Sequence, residues 1–183
     1  MTKNDIIFAI ICGLSVAWIG VDFFGDYGLI LFLIFPALSV LGLWIVELIG
    51  RKYLFVHQFG KFGLAGALAS VVDIKVFQLL FLFLPFSLAC KAISFFIAAI
   101  VKYLSDKYWT FQKNEKKNMH IEMLKFFGVV ATGSLLNVAS FYFFSKIKVG
   151  LPFKTWQEAS IIFAILITAI WNFVGYKFIV FKK

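Results

Sequence analysis

Six runs of apolar residues, each close to the length a helix needs to cross a bilayer, constrain this chain more than any motif in it. They cover residues 6–24, 27–46, 62–84, 86–104, 126–144 and 159–176. A spanning helix needs about 20 such residues, because the hydrocarbon holds no water to satisfy the backbone. The composition agrees, with 62% of the 183 residues apolar and 15% charged, against roughly half and a quarter in a soluble domain. The expected fold is an all-α integral membrane protein of six transmembrane helices. The breaks between runs are short and leave no room for a soluble catalytic domain. The first run follows Lys3 as the core of a signal peptide would. No small-x-small cleavage site stands near residues 20–24, so a retained helix is expected.

The net charge of +9 would point a soluble chain toward nucleic acid. Here it is read through the positive-inside rule, and no nucleic acid is expected. With the N-terminus cytosolic, the inner side holds Lys3, Arg51, Lys52, Lys61, Lys102, Lys107, Lys113, Lys116, Lys117, Lys125, Lys177, Lys182 and Lys183. The outer side holds only Lys91, Lys146, Lys148 and Lys154, and Asp22 and Asp26 lie in its first turn. The expectation is a multi-pass protein of the cytoplasmic (inner) membrane with both termini cytosolic.

Residues 1–50 read as a transmembrane hairpin turning at 22–28, and residues 50–60 as a basic, aromatic connector. Glu47 and Arg51 have the i, i+4 spacing of a helical ion pair. Residues 57–183 contain an internal repeat, with halves at about 57–113 and 121–183. Lys61-Phe62 matches Lys125-Phe126, Ser70 matches Ser134, Asp73 matches Asn137 and Phe77 matches Phe141. Leu84-Pro85-Phe86 then matches Leu151-Pro152-Phe153, and Lys107-Tyr108-Trp109-Thr110-Phe111 matches Lys177-Phe178-Ile179-Val180-Phe181. The offset grows from 64 to 67 to 70, as two three-residue insertions require. Each half has two spans and returns to its starting side, so the halves are parallel repeats. The expected core is four helices, two per repeat, with the N-terminal hairpin added. Gly63, Gly66, Ala67 and Ser70 in one half, and Gly128, Ala131, Thr132 and Ser134 in the other, give each first helix a small-residue face suited to close packing in lipid.

Asp73 and Lys75 are ionisable residues set deep within a span. Asp73 lies about 18 Å along the helix from Lys61, and charges at that depth face a bundle interior or a pathway. Residues two apart do not share a helix face, so Asp73 is expected to meet Asn137 or another helix. Lys75 is expected there too, or snorkelling outward. A second set stands at the helix exits. Lys102, Asp106 and Lys107 precede Trp109 and Phe111, and Asn172 and Lys177 precede Phe181. The aromatic members read as interface anchors; lysines held at that depth can also bind a lipid phosphate. Cys12 and Cys90 read as small core residues, and His57 and His120 as interfacial ones. No phosphate-binding loop, HExxH or GxSxG motif is present. No metal, cofactor or catalytic role is expected.

At these residues the chain resembles the GtrA-like family of small four-helix membrane proteins, over about residues 57–183. Gln58-Phe59-Gly60-Lys61-Phe62-Gly63 opens a small-rich helix that contains Asp73. Lys107-x-Trp109-Thr110-Phe111 and Asn172-Phe173-x-x-x-Lys177-x-x-x-Phe181 form its two exits. Lys102 and Ser105 stand where the family often has asparagine, and the hairpin 1–50 is additional. The resemblance implies translocation of a polyprenyl-phosphate-linked sugar for cell-surface polysaccharide synthesis or decoration. It also implies, as an alternative, a non-transporting anchor or accessory subunit of a membrane glycosyltransferase. A small proton-coupled exporter using Asp73 is the third reading. The expected partners are the sugar lipid and a glycosyltransferase, and so narrow a bundle admits a homodimer.

Overall fold

The computed structural model describes residues 1–24, 28–115, 118–147 and 153–182, apart from the side chains at 23–24, 153–155 and 158. Asp26, Lys116, Lys117, Lys148, Leu151-Pro152 and Lys183 lie outside the described residues, as do the side chains of Phe153 and Lys154. Six helices follow one another: α1 (Lys3–Phe24), α2 (Gly28–Gly50), α3 (Leu54–Phe83), α4 (Ser87–Ser105), α5 (Met119–Lys146) and α6 (Phe153–Gly175). All six runs are long and apolar enough to cross a membrane, so the chain is an all-helical, multi-pass membrane protein. Two compact units divide it at Gln112–Lys113. The first holds α1 to α4; the second holds α5 and α6.

The helices outrun the apolar runs at one end. α3 begins at Leu54 rather than near residue 62, and α5 at Met119 rather than near 126. At 30 residues, α3 is about 45 Å long, which matches the bilayer with its headgroups and not the hydrocarbon alone. His57, Gln58 and Lys61 break the hydropathy but not the backbone ladder. The connector expected over 50–60 therefore shrinks to three residues, Arg51 to Tyr53, before α3 starts. Glu47 does not pair with Arg51. It takes the N-terminal ammonium of Met1, which fastens the start of α1 to the end of α2. Near the middle of that hairpin, Gly13 lies against Pro36, where any Cβ would collide with backbone.

Burial follows the repeat. Phe62, Ala65 and Ala69 of α3 are buried, and so are Phe126, Val129 and Gly133 of α5. In the second helices Cys90, Ser94 and Tyr103 pair with Ser160, Ala164 and Phe173, all six at most 1% exposed. The offset is thus already 70 at Cys90, which places the second insertion at the start of α6. The packed seam is not the small-residue stripe. A methyl group added at Gly63 or Gly128 would meet nothing within 4 Å, because the seam runs through 62, 65 and 69, to one side of the stripe. Cys12 and Cys90 are free thiols with no exposure.

Both second helices end in the same unusual way. α4 passes into a π-helical turn at Asp106–Thr110 and α6 into another at Tyr176–Val180. Each is closed by an i to i+5 backbone bond, Phe111 N–H to Asp106 O and Phe181 N–H to Tyr176 O, both 2.8 Å. Such turns are rare and concentrate at functional sites.

Candidate functional site

The first exit is built around two buried ion pairs. Lys102 reaches back from the last turn of α4 and donates to the Phe62 carbonyl at 2.9 Å and to Asp106 Oδ1 at 3.1 Å. Its ammonium lies 3.6 Å from the centroid of the Phe62 ring. Thr110 donates to the same Asp106 oxygen at 3.1 Å, across the π turn. Asp106 Oδ2 stands 2.9 Å from Lys102 but takes no aligned hydrogen bond. The other pair joins the hairpin to the repeat. Lys61 Nζ is 2.5 Å from Asp5 Oδ1, and Trp109 Nε1 donates to that oxygen at 2.9 Å. Phe8, one turn along α1, stacks on Trp109 at 3.9 Å.

The second exit keeps the frame and changes the chemistry. Asn172 and Tyr176 stand where Lys102 and Asp106 stand in the first half, and Tyr176 stacks on Phe126 at 4.7 Å. Asn172 packs against Gly133, where a Cβ would collide with its carboxamide, and its Oδ1 is buried without a hydrogen bond. Lys107 and Lys177 occupy matching aromatic clasps. Lys107 Nζ lies 5.8 and 5.9 Å from the rings of Tyr103 and Tyr108, and Lys177 lies 5.9 and 5.8 Å from Phe173 and Phe178. A ring face attracts an ammonium through its quadrupole, so the clasp holds both lysines at one place in the frame. Lys107 is fully buried and Lys177 partly so.

Within the spans Asp73, Lys75 and Asn137 each find a partner inside their own unit. Asp73 accepts from Ser94 at 2.6 Å and pairs with Lys91 at 2.5 Å, both on α4. Lys75, on another face of α3, pairs with Asp22 of α1 at 2.6 Å and lies 4.9 Å from the Trp18 ring. Asn137 donates to Thr168 of α6 at 3.1 Å. The helix that Asp73 meets is therefore α4, and Lys75 is anchored by Asp22 rather than reaching outward alone.

Trp109, Phe111 and Phe181 are 9%, 5% and 3% exposed, so they belong to the packed exits and not to an interfacial belt. The π turns roll them inward, and Tyr108 and Phe178 face outward in their stead. Sequence reasoning passes over Asp5, Lys91 and Ser94. Asp5 reads as an ordinary acid of a first helical turn and Lys91 as a loop charge, and nothing in the sequence sets Ser94 apart.

These features define a polytopic membrane protein in which each repeat half ends in a lysine-bearing helix exit. Residues 61–181 match the family described as GtrA/DPMS, transmembrane domain, and the chain belongs to that family. Membership connects it with membrane functions around polyprenyl-phosphate sugars. No curated protein and no solved structure matches the chain.

Proposed function

We propose that this protein translocates a polyprenyl-phosphate-linked sugar across the cytoplasmic membrane, for synthesis or decoration of a cell-surface polysaccharide, and converts nothing chemically. The observation that carries the reading is the extent of the family match, which runs through both halves and both lysine-bearing exits. Three features support it. Charged and polar groups at Asp73, Lys91, Lys75 and Asn137 offer partners to a polar head passing the hydrocarbon. The exits carry lysines, a residue type that binds lipid phosphates at this depth. The lysine and arginine bias favours a cytosolic side for those exits and both termini. With no ATP-binding loop in the sequence, the driving force is exchange, a gradient, or removal of the sugar by a downstream transferase.

The test is flux in liposomes. A short-chain polyprenyl-phosphate hexose with a quenchable label is loaded in both leaflets, and an impermeant quencher is added. Proteoliposomes should lose the protected half of the signal much faster than empty liposomes. Equal rates would refute transport. Tight binding of the lipid without flux would instead favour the accessory subunit of a glycosyltransferase.

A further inference from the structure

The repeat makes each half a control for the other. In the first half, Lys61 and Trp109 form a recess at the exit that already holds an anion, the Asp5 carboxylate of the added hairpin. The matching positions in the second half are Lys125 and Ile179. With Val180 and Lys182 they line a polar cavity of ≈ 380 Å³ at the start of α5. The cavity that corresponds to the Asp5 recess is therefore present within the second unit, and its described lining comes from that unit.

Its charges are unevenly spent. Lys113 and Glu122 pair across the cavity at 2.9 Å, and Lys113 also donates to the Lys182 carbonyl at 3.1 Å. Lys125 and Lys182 are exposed, and neither side chain has an ion pair among the described residues. Glu115 on the rim offsets part of this charge. Lys61, the repeat partner of Lys125, is 1% exposed, so the same position is satisfied in one half and open in the other.

We propose that this cavity binds a phosphate group carried by a membrane lipid. Two exposed ammonium groups, neither ion-paired among the described residues, suit a phosphate oxygen set, since charge-assisted hydrogen bonds to phosphate are among the strong ones. Ile121 and Ile179 are exposed beside it and offer apolar surface to the first carbons of a lipid chain. A docked acidic helix fits less well. In the first half that docking uses the Trp109 ring and N–H, and Ile179 supplies neither. That the lipid is a polyprenyl phosphate rests on the function proposed above; that the group is a phosphate does not.

The experiment uses the full chain in phosphatidylcholine nanodiscs, with geranylgeranyl phosphate as the probe and inorganic phosphate and geranylgeraniol as competitors. Lys125→Gln/Lys182→Gln should weaken binding about tenfold or more, the equivalent of ~1.4 kcal/mol or more, with an unchanged melting curve. Lys125→Arg/Lys182→Arg should keep binding, which guards against a glutamine variant that fails to fold. Arg51→Gln/Lys52→Gln, an equal loss of charge in the first unit, should leave binding unchanged. The alcohol should not compete. Displacement by inorganic phosphate at equal concentration would keep the phosphate site and overturn the lipid as its source. Full binding by the double glutamine variant would overturn the proposal. Binding that follows these variants in a protein with no flux would leave this site standing and refute transport.

Discussion

Asp5 on α1 and Lys61 on α3 stand 2.5 Å apart with side chains 4% and 2% exposed, and this pair ties the added hairpin to the first half of the repeat. Splitting a buried pair leaves the survivor charged and desolvated. Asp5→Ala is expected to cost about 3–5 kcal/mol, and Asp5→Leu/Lys61→Met to recover most of that loss. Chemical unfolding in detergent measures both. Equal stability of Asp5→Ala and the parent would show that Lys61 finds water or another partner.

Asp73 is a different case, because Lys91 is 54% exposed. The pair is open on that side, and Lys91, close to the start of α4, can extend toward the outer surface when its partner is lost. Asp73→Asn can still accept from Ser94, so the variant should fold and bind lipid but lose flux. Asp73→Leu leaves the Ser94 hydroxyl its bond to the Lys91 carbonyl at 3.1 Å but removes the side-chain link between α3 and α4, and should lose some stability as well. A well-folded Asp73→Leu protein with full flux would remove Asp73 from the working residues.

Glycines 133 and 128 should respond oppositely to alanine. Gly133→Ala drives a methyl group into Asn172 and the Trp171 ring, with an expected loss of about 1–3 kcal/mol. Gly128 has no neighbour within 4 Å, so Gly128→Ala should be neutral or gain up to ~1 kcal/mol from helix propensity. Melting temperatures of the two variants decide the matter, and a matching loss in both would mean that the Gly128 face is covered.

The exit aromatics separate into packed and outward residues. Phe111→Ala and Phe181→Ala each remove a buried ring and should destabilise by about 3–5 kcal/mol. Tyr108→Ala, at a position 38% exposed, should change stability little. Similar losses at all three positions would make membrane anchoring, not packing, the common cause.

Orientation is testable at Asn114, which is exposed at the start of the second unit. Cys12 and Cys90 have no exposure, so Asn114→Cys supplies the reactive thiol. An impermeant maleimide should label it only after cells are permeabilised. Labelling in intact cells would invert the topology.

The spans are legible in the sequence because each is a local property of about 20 residues. The repeat is legible because paired landmarks such as Lys61-Phe62 and Lys125-Phe126 recur in order. What escapes is set at long range or by the interface. Asp5 gains its meaning from Lys61 and Trp109, far along the chain. The early start of α3 escapes because hydropathy falls at His57 and Gln58 while helical bonding continues through the headgroup layer. The inward roll of Trp109 and Phe181 escapes because a helical wheel assumes i to i+4 bonding, and the π turns break that register.

Those turns also bear on ancestry. A π turn marks one residue inserted into an α-helix, and here it stands at equivalent places, closed by Phe111 in one half and Phe181 in the other. The surrounding residues have diverged, with Lys102 and Asp106 opposite Asn172 and Tyr176. Two independent insertions at one register would be a coincidence; a single insertion before a gene segment doubled accounts for both. The bulge is then older than the protein's present length, and it outlasted the side chains that first surrounded it.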